Sequence, residues 1–232
     1  MIADNLALVH ARIATACARA GRPVGNVTLL AVSKTHGHGA VREAVAAGQK
    51  RFGENQVQEA VAKMDALGDL RGALEWHLIG PLQSNKTALA AERFDWVQSV
   101  DRAKIAERLS AQRPDALPPL SVCLQVNTSG ETTKSGFAPE RVVDAARAVA
   151  ALPRLRLRGL MAIPEPTTDV AAQRAAHAAL RRLFDAVVEA GIPLDTLSAG
   201  MSDDLEAAVA EGATLVRVGS AVFGARPRPA SA

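Results

Sequence analysis

The chain has no tyrosine, and its aromatic residues are five phenylalanines and two tryptophans, 3% of 232 residues once histidine is set aside. With so few rings and no run of Lys or Arg, it has little with which to stack bases or track a phosphate backbone. The net charge of +3, from 27 basic and 24 acidic residues, is a small excess, so no nucleic-acid partner is implied. No apolar stretch approaches the roughly 20 residues that span a bilayer. Asp4, Asn5, His10 and Arg12 interrupt the amphipathic N-terminus, which argues against a signal peptide, and no membrane partner is expected. The two cysteines lie far apart. Cys17 falls in an N-terminal helical pattern and Cys123 in an apolar run, so both read as small core residues of a reducing compartment, and a cytoplasmic protein is expected.

What is present is an alternation. Short apolar or β-branched runs, "TLLAVSK" (28–34), "RFGEN" (51–55), "WHLIG" (76–80), "WVQSV" (96–100), "SVCLQVN" (121–127), "LRGLMAI" (157–163), "TLSAG" (196–200) and "TLVRVG" (214–219), are separated by segments of helical period such as "VQEAVAKMDAL" and "AAQRAAHAALRRLFDAVVEAG". Eight strands alternating with helices predict a (β/α)8 TIM barrel with an extra N-terminal helix. An open doubly wound sheet is the alternative; against it, no G-x-G-x-x-G follows the first strand. No convincing linker divides the chain, so residues 1–232 are expected to form one domain, with a short flexible tail at about 227–232.

Functional groups of a barrel belong at the C-terminal ends of its strands. There the sequence places Lys34, Asn55, Met161, Ser202, Gly219 and Ser220. Alternation puts Leu30, Val32 and Lys34 on one face of the first strand and Leu215, Arg217 and Gly219 on one face of the last. Closure makes those strands neighbours, so a lysine and an arginine share one mouth with no obvious carboxylate between them. An anion supplied from outside would satisfy both. Small residues in "GMSDDLEAAV" and "VGSAVFG" suit a phosphate, and Asp203 with Glu206 reads as a capping box that leaves Ser202 to the ligand. Burial and a neighbouring arginine favour the nucleophilic amine of a lysine. A phosphorylated aldehyde docked on a lysine is a description of pyridoxal 5'-phosphate.

In chain order, "AVSKT", "RFGENQVQEA", "WHLIGPLQSNK", "LQVNTSGETTKSGF", "LRGLMAIP", "LSAGMSDDLEAAV" and "VRVGSAVFGAR" resemble the pyridoxal-phosphate homeostasis protein family, whose fold is similar to the N-terminal barrel of alanine racemase. The resemblance runs from about residue 5 to 226. It implies that Lys34 forms the internal aldimine and that Arg217 faces the pyridine nitrogen. It also implies that Ser202, Gly219 and Ser220 bind the phosphate, that Asn55 lies in the pocket and that Met161 lies beside the ring. The cofactor implied is pyridoxal 5'-phosphate, the implied partners are PLP-dependent apo-enzymes that would receive it, and a monomer is expected. The chain departs from the family at Gly37, where a proline is common, and at Gln56, often an aromatic; both touch the rim.

Other signals read more plainly. His36 and His38 form H-x-H beside the lysine, but with no ligand cluster adjoining them no metal is expected, and the flanking Gly37 and Gly39 suggest a mobile rim. His77 reads as a hydrogen-bonded core histidine. Racemisation needs a base on each face of the reacting carbon. By the resemblance, the second face in alanine racemase belongs to a tyrosine, and this chain has none. The reading is therefore a PLP carrier without significant turnover. A PLP-dependent amino-acid racemase, with His36 or His38 as second base, and a Schiff-base aldolase-type barrel stay open.

Overall fold

The computed structural model describes residues 1–129 and 135–225. Each of the eight runs forms a strand: β1 (Thr28–Val32), β2 (Arg51–Glu54), β3 (Glu75–Leu78), β4 (Trp96–Val100), β5 (Leu120–Gln125), β6 (Leu155–Met161), β7 (Thr196–Ser198) and β8 (Leu215–Val218). All pairings are parallel, and the sheet closes in sequence order with β1 against β8, Leu30 opposite Arg217. The helices are α1 (Ile2–Arg19), which precedes the barrel, then α2 (His38–Ala46), α3 (Val57–Ala66), α4 (Thr87–Arg93), α5 (Ala103–Gln112), α6 (Val142–Ala150), α7 (Val170–Glu189), α8 (Leu205–Ala210) and α9 (Ser220–Phe223). The closed barrel and its leading helix are those expected from the alternation. No described helix is long and apolar enough to cross a membrane.

The two-residue period of the strands sorts side chains into two cores. Leu29, Ala31, Phe52, Trp76, Leu78, Val97, Leu124 and Val216 point outward and pack under the helices. Along the apolar stripe of α1, Leu6, Val9, Ile13 and Cys17 join them. Inside the barrel the apolar residues form two smaller clusters, Leu30, Val32, Ile79 and Leu215, and Trp96, Cys123 and Met161. The same interior also holds polar groups at inward positions: His77, Gln98, Ser198 and Arg217, all buried. Cys17 and Cys123 are buried free thiols, and burial pushes the Cys123 thiol up to about 12.

Two local expectations are corrected. The first strand ends at Val32 and not at Lys34; Lys34 lies in a turn with Thr35, whose φ is 66°. Gly37 and Gly39 do not flank a loose loop, because α2 already starts at His38 with Gly37 before it. The expected flexible tail at 227–232 and the centre of the "NTSGETTKSGF" block lie outside the described residues.

Barrel closure depends on backbone approach between β6 and β7, where a Cβ on Gly159 would overlap the Thr196 carbonyl oxygen. Gly159→Ala is expected to lower stability by about 2–3 kcal/mol, the cost of overpacking a rigid contact. Urea unfolding measures it, and a wild-type midpoint would show that this approach is not a constraint.

Candidate functional site

Arg217 is a buried cation beneath the C-terminal mouth. It is 3% exposed, and its Nη1 donates to the Ser198 carbonyl and to Ser198 Oγ, both at 2.8 Å. Its Nη2 donates to the Ala162 carbonyl at 2.8 Å. Burial pushes this guanidinium down to about 10, with Asp204 and Cys123 opposing, so it is still a cation at neutral pH. Above it opens a cavity of about 360 Å³ whose lining includes Lys34, Asn55, Ser202, Arg217, Gly219 and Ser220, together with Val32, His36, Ile79 and Met201. Six of the seven site residues expected from the sequence thus meet in one place. Met161 does not line the cavity; it is fully buried in the barrel with Trp96 and Cys123.

Lys34 is half-buried, and the turn that carries it is anchored by groups the sequence reading did not single out. Glu54, at the end of β2, is completely buried and accepts hydrogen bonds from Ser33 Oγ and Lys63 Nζ, both at 2.6 Å. Lys63 Nζ also donates to the Ser33 carbonyl at 2.7 Å and pairs with Glu59 at 3.0 Å. Glu59 in turn accepts from the Thr35 backbone N–H at 2.7 Å. Both neighbours of Lys34 are therefore held by one charged network, in which a positive-φ threonine is stabilised by a carboxylate. Burial pushes the Glu54 carboxyl above its ordinary value despite Lys63 and Ser33. The available signal was Lys63 itself, a lysine between Ala60 and Met64 on the buried face of α3.

The loops after β7 and β8 bring Ser202 and Ser220 together, with Ser220 Oγ donating to Ser202 Oγ at 3.2 Å. From α1, Arg12 grips the Ser202 carbonyl at 2.9 Å while its guanidinium also bonds Glu206. The chain turns here through Gly200 at φ 91°, where a Cβ would stand 2.5 Å from that of Ala208. The expected Asp203–Glu206 capping box does not form, since Glu206 is committed to Arg12 and Asp204 takes the position before α8. Asp204 accepts from the Met201 backbone N–H at 2.6 Å and bonds His177 Nε2 at 2.9 Å. Burial raises its carboxyl, but His177 and Met201 outweigh that and hold it below the ordinary range. His177, uninformative in the sequence, braces this loop from α7.

Of the H-x-H pair, His36 lines the cavity and stacks on Phe223 at 5.2 Å between ring centroids, whereas His38 belongs to α2 and does not reach the lining. Burial, reinforced by Lys63, lowers the His36 pKa and keeps the ring neutral at pH 7. Among the described residues no three His, Cys, Asp or Glu side chains are placed to hold a metal.

Removing one partner of a buried ion pair strands the other charge and costs about 3–5 kcal/mol. Lys63→Met is therefore expected to destabilise the protein by about that much at alkaline pH, and by less at acidic pH. The sign follows from Glu54, whose raised folded-state pKa favours the folded state at low pH and withdraws that support as pH rises through it. Urea unfolding on either side of neutrality tests this, and a pH-independent loss would contradict it.

Comparison with known proteins gives this architecture relatives along nearly its whole length. Residues 5–227 match the family model described as alanine racemase, N-terminal domain. A pyridoxal phosphate homeostasis protein of Pseudomonas aeruginosa is 62% identical over 225 residues, covering 97% of this chain and 96% of that protein. One from Escherichia coli is 52% identical, covering 97% of each. The solved structure of PipY from Synechococcus elongatus with PLP bound superposes with a TM-score of 0.84 at 40% identity, covering 97% of this chain and 100% of that one. The chain belongs to the alanine racemase N-terminal domain family and, within it, to the pyridoxal phosphate homeostasis proteins.

Proposed function

We propose that this protein binds pyridoxal 5'-phosphate in the cavity at the C-terminal mouth and serves its homeostasis by holding and releasing it, without significant turnover. The observation that carries the reading is that Lys34 and the buried cation Arg217 line one cavity of about 360 Å³ with Ser202, Gly219 and Ser220. The names of the relatives and the PLP bound to PipY support it. When bound, pyridoxal phosphate supplies an electrophilic aldehyde and a ring able to accept electrons.

The chain's own residues have separable tasks in this reading. Lys34 holds the cofactor covalently through its side-chain amine. Ser202, Ser220 and the Gly219 backbone hold the phosphate, with the Ser202 loop gripped by Arg12 and braced by Asp204. Asn55 closes the side of the pocket. Arg217, charged at neutral pH, faces the ring nitrogen and opposes its protonation, which weakens the ring as an electron sink. No tyrosine is available to move a proton on the second face. In this reading the protein acts as a single-domain monomer in the cytoplasm, with PLP-dependent apo-enzymes as recipients. One observation favours a racemase instead, namely that His36, neutral and able to accept a proton, lines the cavity.

Borohydride reduction of the loaded protein is expected to fix one phosphopyridoxyl group on Lys34, mapped by peptide mass spectrometry. Lys34→Ala should fold and lose the visible absorption of the bound cofactor. Label on Lys86 or another lysine would overturn the assignment. With fully loaded protein, α-hydrogen exchange of the common amino acids should stay well below ~1 s⁻¹, the low end of ordinary enzyme turnover. Faster exchange that His36→Ala abolishes would establish the racemase.

A further inference from the structure

The polar groups inside the barrel form one continuous chain that leads away from the pocket. Arg217 Nη1 donates to Ser198 Oγ at 2.8 Å, and Ser198 Oγ donates to Gln98 Oε1 at 2.6 Å. Gln98 Nε2 meets His77 Nδ1 at 2.8 Å, and His77 Nε2 meets Glu75 Oε1 at 2.9 Å. Glu75 also accepts from Arg51 Nε at 3.0 Å. Ser198, Gln98 and His77 are each 0% exposed. The chain therefore crosses the barrel through β8, β7, β4 and β3 and ends at the opposite mouth, where Glu75, His77, Arg51 and Arg158 line a separate cavity of about 630 Å³.

The direction of every bond is set by the two ends. A guanidinium has only hydrogens to give and a carboxylate only lone pairs to offer. Ser198 Oγ accepts from Arg217, so its own proton goes to Gln98 Oε1. The amide nitrogen of Gln98 then faces His77, which requires a bare Nδ1 and a proton on Nε2, and that proton goes to Glu75. The reversed amide fails at the far end: it would put the proton on His77 Nδ1 and leave Nε2 and the Glu75 carboxylate as two facing acceptors. His77 is also stacked on Trp96 at 4.9 Å, so it cannot turn to relieve such a conflict. The charged groups around the imidazole are Glu75, Asp95 and Arg51, and burial outweighs the carboxylates in keeping it neutral.

We propose that Ser198, Gln98 and His77 are positioning residues that form a one-directional hydrogen-bond relay, fixing Arg217 from behind and coupling its orientation to Glu75 at the opposite mouth. Both hydrogens of Nη1 are spent on Ser198 and one of Nη2 on Ala162, so the guanidinium cannot rotate in its plane. What it presents to the pocket is set by residues that never touch a ligand there. The proposal rests on the functional reading only in taking the Arg217 side of the cavity as the face that receives the cofactor ring.

The test begins with nitrogen NMR of the histidines in the ligand-free full-length chain. His77 is expected as a single Nε2–H tautomer that takes up no proton between about pH 5 and 8, the range in which an ordinary histidine titrates. An Nδ1–H tautomer, or titration in that range, would overturn the relay. Gln98→Met, of similar length but without hydrogen bonds, should weaken pyridoxal phosphate binding about three- to tenfold, the loss expected for one hydrogen bond between neutral groups. A folded Gln98→Met protein with wild-type affinity would refute the positioning role. The tautomer is read without cofactor, so failure of the relay and failure of the functional reading are seen separately.

Discussion

A guanidinium buried inside a parallel barrel is the constraint to which the rest of this interior answers. Desolvating a cation is costly unless dipoles or opposite charge replace the lost water. Arg217 has no carboxylate among its three hydrogen-bond acceptors, which are two carbonyl oxygens and a serine hydroxyl. Asp204 compensates from a distance, and the serine passes the demand for an acceptor on to Gln98, His77 and finally Glu75. A barrel core filled only with branched aliphatic residues could not hold this charge. The polar interruption of the core and the charged floor of the pocket are one feature.

The second cation is managed differently. Lys34 stays half-buried at the mouth, and the cost of fixing its turn falls on Glu54 and Lys63 beneath it. That pair supplies a rigid seat: Ser33 on one side of Lys34 and Thr35 on the other are each tied to a carboxylate. The loop carrying Ser202 is fixed from outside the barrel by Arg12 and His177, through groups with no place in the cavity. A lysine amine and an arginine are thus presented from separately braced elements, an arrangement suited to binding a reactive anionic aldehyde in one orientation.

Much of this was legible in the chain because alternation is regular in β1 and β8, the two strands that meet at the site. A period of two placed Arg217 inside, and closure of β1 on β8 brought it to the mouth that holds Lys34. Alternation carried one step too far for Lys34 itself: Glu54 draws Ser33 into its hydrogen bond, and the strand stops at Val32. The Glu54–Lys63 pair was not anticipated because it joins a strand end to a helix face, and only Glu59 and Lys63 show helical spacing in the sequence. His177 and Asp204 are likewise partners only in three dimensions, 27 residues apart. The rim was misread because glycines around His38 look like a loose loop, although Gly37 serves equally well before a helix start.

Lys34 and Arg217 line one cavity and are expected to meet the same bound molecule. A crystal structure of the protein loaded with pyridoxal 5'-phosphate tests this most directly. Continuous density is expected from Lys34 Nζ to the cofactor, with the phosphate at Ser202 and Ser220 and the ring nitrogen toward Arg217. Cofactor bound at another lysine, or lying in this cavity with its phosphate against Arg217, would contradict it.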